Sequence, residues 1–345
     1  MNPATTRLFD LDSAVMGTTV PVAVVLPPDF QPEGESLPLL INLHGGDGDR
    51  NFLVAGLPHF QSMWETGELP PLVMVTFSSG GTSWYVGNWE KFVVDELSTY
   101  MNTRFNTRLD REGIVLTGSS MGGYGALKIA FKYPERFSAI ASLEAAVEPF
   151  LTRTPGNHRN TWYRMEAIES RIWGSPFDEA AWEADNPATI AYRNADAIRD
   201  SGLDIYLEVG DQDYLNLHDG NEFLHRVLWD HDIRHEYHLV RWADHIGFSM
   251  ERRAREVYRF LAASLAGGLA EPADLPLTEK EQAYINWATG GDMAAGEPPP
   301  TQEDLMADMT RGPSLLRGLF GPSRDRATGD TDLQRAYARL PPTSL

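Results

Sequence analysis

Short apolar runs alternate with amphipathic stretches along most of the chain. Val20–Leu26, Pro38–Leu43, Leu72–Phe77, Ile114–Thr117, Phe137–Leu143, Asp204–Val209 and His235–Val240 have strand length and strand composition. Several are almost continuously apolar, as expected where both faces of a parallel sheet are covered. The helical period appears between them. Trp89–Asn102 spaces Phe92, Val93, Leu97 and Tyr100 on one face, and Met121–Tyr133 stops at Pro134. Asn221–His231 carries Phe223, Leu224, Val227 and Leu228, and Phe248–Leu265 is long and amphipathic. Strand–helix–strand alternation predicts an α/β protein with a mostly parallel central sheet covered by helices on both faces.

Two stretches break the rhythm. Residues 145–197 separate two strands and are rich in aromatics, among them Trp162, Tyr163, Trp173, Phe177 and Trp182. That is too long for a plain crossover and predicts an insertion with helices of its own. Residues 267–345 are punctuated by proline, yet Thr278 with Glu281 reads as a capping box before a short helix. The expected organisation is one domain over 1–266, with 145–197 as a cap-like insertion, and a helical C-terminal extension over 267–345.

Charge and composition narrow the function. There are 49 Asp and Glu against 29 Lys and Arg, a net of −20. Such a surface repels phosphate, so nucleic acid and anionic membranes are poor partners. The absence of cysteine rules out disulfides, thiolate metal sites and a cysteine nucleophile. No apolar run approaches the ~20 residues of a membrane span. The N-terminus lacks a basic stretch followed by an apolar one, so a cytoplasmic location is expected.

The strongest local signal is Gly118-Ser119-Ser120-Met121-Gly122. It fits G-x-S-x-G, with a strand before it and a helix after it, as a nucleophile elbow requires. Ser120 is therefore the candidate nucleophile. His44-Gly45-Gly46-Asp47-Gly48 follows another strand. A glycine-rich loop there can offer backbone N–H groups to a tetrahedral oxyanion. Met121 supplies one candidate donor; Gly46 is the choice for the other, with Gly45 as the alternative. A serine needs a base, and the base an orienting acid, in the chain order Ser, Asp, His. Asp213 follows the strand Asp204–Val209, with Asp211 nearby as a turn residue. His245 follows the last strand. His235 and His238 fall inside that strand, and His218, His225 and His231 on or beside the preceding helix. No histidine has metal-ligand spacing.

These blocks together resemble the esterase branch of the α/β-hydrolases, which includes S-formylglutathione hydrolases, feruloyl esterases and mycolyltransferases. Val22–Pro28 with Leu39–Gly48 resembles the opening strand and loop of that group. Ser83-Trp84-Tyr85, Trp89-Glu90-Lys91-Phe92 and Asp95-Glu96-Leu97 resemble a further block, as do Trp173-Gly174, Trp182 and Asn186-Pro187. The likeness spans about residues 6–266. It implies an α/β-hydrolase fold with the insertion between the sixth and seventh strands. It implies a Ser120–His245–Asp213 triad with Gly46 and Met121 as oxyanion donors. His44, Gly45, Trp84, Tyr85, Trp162 and Trp242 are then expected to line the substrate site. The sequence departs from the family at Ala243-Asp244, where glycines often precede the histidine. A carboxylate there is expected to raise the base's pKa or to orient a positive substrate group. The implied ligand is a small-molecule ester, with no cofactor, metal, nucleic acid or membrane. Homo-oligomerisation stays open. Hydrolysis, acyl transfer to an alcohol or sugar, and a non-catalytic binding module are the three activities to separate.

Overall fold

A computed structural model describes residues 2–152 and 166–267. The C-terminal extension and Trp162 lie outside the described residues. Eight strands form one sheet in the order β1-β2-β4-β3-β5-β6-β7-β8. These are β1 Thr5–Ser13, β2 Thr18–Leu26, β3 Leu39–Leu43, β4 Val73–Phe77, β5 Ile114–Ser119, β6 Ala139–Leu143, β7 Asp204–Gly210 and β8 Glu236–Val240. β2 pairs antiparallel with β1 and β4, and every pair from β4 to β8 is parallel. This is the mostly parallel, doubly covered sheet that the alternation predicts.

The period-two geometry of a strand sends neighbouring side chains to opposite faces. Leu39 and Ile41 of β3 and Val73 and Val75 of β4 join one core with Phe92, Leu127 and Phe131. Leu40, Met74, Val115 and Ala141 join the other with Phe60, Met63, Tyr258 and Leu261. All five residues of β3, of β4 and of β6 are buried. Each fully buried Leu, Ile or Val contributes roughly 1.5–3 kcal/mol relative to exposure. These central strands therefore anchor the loops that leave their C-terminal ends.

The helices are α1 Asn51–Ala55, α2 Leu57–Glu65, α3 Asn88–Lys91, α4 Ser98–Phe105, α5 Met121–Lys132, α6 Glu166–Trp173, α7 Glu179–Asp185, α8 Pro187–Arg193, α9 Ala195–Ser201, α10 Leu217–Asp230 and α11 Met250–Leu265. The single helix expected over Trp89–Asn102 is α3 and α4 joined by a π-turn at Phe92–Leu97. Helices α6–α9 lie between β6 and β7. Their tryptophans fill a local core: Trp182 is 1% exposed and packs near Phe150, and Trp173 meets Phe177. The inserted helices are also tied to α5 by charge. Lys128 is fully buried, with its Nζ 2.8 Å from Glu90 and 3.5 Å from Asp185 at the end of α7. Trp173 Nε1 donates to the other oxygen of Asp185 at 3.2 Å.

Candidate active site

The strand-to-helix turn at the candidate nucleophile is built by close backbone approach. β5 ends at Ser119, α5 begins at Met121, and Ser120 between them has φ 56° and ψ −119°. A side-chain-bearing residue held at positive φ costs of order 1–3 kcal/mol and persists only where its surroundings fix it. Here the Ser120 N–H donates to Leu143 O at 3.0 Å, and its C=O accepts from Tyr124 and Ala146. Only glycine fits on either side. A Cβ on Gly118 would meet Gly122 O at 2.3 Å, and one on Gly122 would meet Leu43 O at 2.0 Å. The motif spacing thus reports the passage of α5 across the end of β3. It also puts the first-turn N–H groups of α5, which lack helical acceptors, beside Ser120.

The glycine loop leaves β3 against this elbow. A Cβ on Gly45 would sit 3.6 Å from Ser120 Cβ and 3.4 Å from Ser119 O. His44, expected to line the substrate site, is instead fully buried. Its Nε2 accepts from the Ser79 N–H at 3.0 Å. The ring proton is therefore on Nδ1, which donates to Gly45 O at 2.8 Å. Burial pulls the His44 pKa below the ordinary value, which keeps this neutral tautomer. His44 thus holds the turn. Tyr85 behaves alike: it is fully buried, and its hydroxyl donates to His44 O at 2.9 Å. Trp84 is 8% exposed, lies edge-on to Tyr124 and tilts against Trp173. Trp242 is 72% exposed on the histidine loop, with Arg241 over its ring.

The candidate acid and base meet across the ends of β7 and β8. His245 Nδ1 lies 2.9 Å from Asp213 Oδ2. Asp213 is 2% exposed, and its other oxygen accepts from Leu215 N–H at 2.8 Å. Asp211 instead ties the two loops together, its Oδ1 accepting from Trp242 N–H at 2.7 Å. Asp244 also braces loops, accepting from the N–H groups of Tyr214 and His245. Burial disfavours the charged ring of His245. The hydrogen bond to Asp213, the charge of Glu144 and the charge of Asp213 outweigh it and hold the pKa above the ordinary value. His235 pairs with His225 at 2.7 Å, away from this loop.

Sequence reasoning misses a buried charged cluster beside His245. Arg253 of α11 is 2% exposed and binds Glu144 after β6 and Glu208 of β7, each 1% exposed or less. The guanidinium also donates to Asp244 O at 2.8 Å, just before His245. A single arginine thereby joins β6, β7, α11 and the histidine loop. The one signal for it is Glu144, an isolated charge in the otherwise uncharged run Ala139–Val147.

Residues 13–236 match the family model described as Putative esterase. The chain belongs to that family. It is 29% identical over 203 residues to Esterase Rv1288 of Mycobacterium tuberculosis, covering 54% of this chain and 43% of that protein. It is 26% identical over 199 residues to the diacylglycerol acyltransferase/mycolyltransferase Ag85B of Mycobacterium avium, covering 52% and 56%. The chain thus spans about half the length of these curated relatives or less. Among solved structures, a ferulic acid esterase superposes with a TM-score of 0.63 at 17% identity, covering 77% of this chain and all of that one. The fold is that of the α/β-hydrolase esterases. Among the described residues, no helix is long and apolar enough to cross a membrane.

Proposed function

We propose that this chain is a serine carboxylesterase. The observation that carries the reading is the Asp213–His245 hydrogen bond, in a chain whose strained elbow presents Ser120 in the order Ser, Asp, His. Asp213 accepts the proton of Nδ1 and so leaves the lone pair of Nε2 for Ser120. Ser120 Oγ attacks the ester carbonyl, and its proton passes to Nε2. The imidazolium then protonates the leaving alcohol. Water repeats the sequence on the acyl-enzyme and frees the acid.

The N–H groups of Gly46 and Met121 hold the oxyanion. Support for Gly46 comes from His44. In a trans peptide the C=O and N–H point opposite ways. Nδ1 of His44 and the N–H of Gly48 both take up Gly45 O, so the Gly46 N–H is turned away from them. Removing one such donor costs about 10²–10³ in kcat in a serine hydrolase. The likeness to the mycolyltransferase supports a second reading, in which an alcohol replaces water at the acyl-enzyme.

The pH profile tests the chemistry. The base must be neutral, and its pKa is raised, so kcat/KM for an aryl acetate should rise with pH through a limb above the ordinary histidine value of 6.5. A limb below 6.5, or no limb, contradicts His245 as base. Added alcohol acceptors separate the two readings: ester products in place of free acid favour transfer.

A further inference from the structure

Glu144 brings a second carboxylate to His245. It follows β6 directly, at φ 36°, and is 1% exposed. One of its oxygens, one oxygen of Asp213 and one ring nitrogen of His245 all lie within 4.8 Å of one another. Oε1 accepts from the Ser119 hydroxyl at 3.3 Å, and Oε2 binds Arg253. Glu144 is thus held in place by others and acts on the ring by its charge.

The charges around the ring come from several elements. Asp213 follows β7, Glu208 is within β7, Arg253 is on α11, and Asp244 is on the histidine loop. Beyond them, His238 and Arg252 act on Glu208. Of the buried groups, three are carboxylates (Glu144, Glu208 and Asp213) and one is a permanent cation (Arg253). A neutral His245 leaves this cluster short of positive charge; an imidazolium supplies it. Burial pushes Glu144 up, to about 7, despite Arg253 and His245.

We propose that Glu144 is a positioning residue for the base, stabilising with Asp213 the imidazolium that His245 becomes when it takes the Ser120 proton. The inference rests on the triad reading of the proposed function. The proton moves from Ser120 Oγ to Nε2 as the Oγ–carbon bond forms, and later from Nε2 to the leaving oxygen. Glu144 acts in its ionised form and takes no proton in the cycle. It therefore contributes most when the ring is charged, which is at the transition state.

The test compares wild type with Glu144→Gln and Glu144→Asp in kcat and KM across pH, on an aryl acetate. Gln keeps hydrogen-bonding groups for Arg253 and Ser119 but loses the charge. It should move the acid limb down by roughly one pH unit and lower plateau kcat about tenfold, with KM within about twofold. Asp should restore much of the limb. A folded Glu144→Gln protein with an unmoved limb and unchanged kcat overturns the proposal. If Glu144→Gln does not fold, Glu144→Ala decides, with the His245 ring titration followed by NMR. Loss of the Glu144 charge should lower the ring's titration relative to wild type; an unmoved titration in the folded variant overturns the proposal. Ser120→Ala separates the levels. If it is inactive while the Glu144→Gln limb is unmoved, this inference falls alone. If it is as active as wild type, both readings fall.

Discussion

Replacing Ser120 by alanine is expected to lower ester hydrolysis by at least about 10³-fold while leaving the fold intact. The side chain is half-buried at the mouth of the elbow, and the backbone there is fixed by Leu143, Tyr124 and Ala146 through main-chain bonds. None of these bonds involves the hydroxyl. Alanine meets the same positive φ as serine, so its thermal unfolding should match wild type within about 1 kcal/mol. Activity lost with stability kept marks a nucleophile. A comparable rate in the variant would move the chemistry elsewhere, and a protein that unfolds would make the hydroxyl structural.

Arg253→Met carries the largest expected effect on stability. It strips the cation from two buried carboxylates, Glu144 and Glu208, and from the carbonyl of Asp244. Breaking a buried pair by removing one partner costs about 3–5 kcal/mol, a large share of the roughly 5–15 kcal/mol of a whole domain. The pH dependence has a definite sign. Burial raises the folded pKa of Glu144 from the ordinary 4.5 to about 7, and raises that of Glu208 as well. Glu144 therefore holds more protons folded than unfolded across that window, and Glu208 shifts in the same direction. The contribution of Glu144 to stability is full below about 4.5 and is lost as pH rises through about 7. Without Arg253 the folded values climb further, so the deficit grows with pH. Urea unfolding near pH 5 and near pH 8 checks this. A smaller deficit at the higher pH, or a total loss under about 1 kcal/mol, contradicts the expected role of Arg253.

The sequence reveals the parts of this fold that a doubly covered sheet imposes. β3 to β7 are legible because both their faces are buried, which leaves a mostly apolar run. β1 is not, because it is an edge strand whose residues Thr5, Arg7, Leu8, Asp10 and Asp12 are exposed, so Thr5–Ser13 has no apolar run to find. Helices α1 and α2 escape because a glycine and a proline interrupt their short pattern at Gly56 and Pro58. In the site, Ser120 and His245 stand out because motif and strand order single them out. His44 and Tyr85, which the resemblance places beside the ligand, are both fully buried. Local sequence shows that a residue is beside a loop but not which way it faces. Arg253, Glu144 and Glu208 are hidden for a related reason. Apart from the isolated charge of Glu144, nothing local marks them as a cluster, because their partners lie up to 109 positions away.

Covalent labelling tests the central claim most directly. The folded protein is treated with a serine-reactive phosphonate, digested and mapped by mass spectrometry. One adduct is expected, on the peptide holding Ser120, absent from Ser120→Ala and formed far more slowly by His245→Ala. An adduct on another serine, or none on folded protein, would contradict Ser120 as the nucleophile.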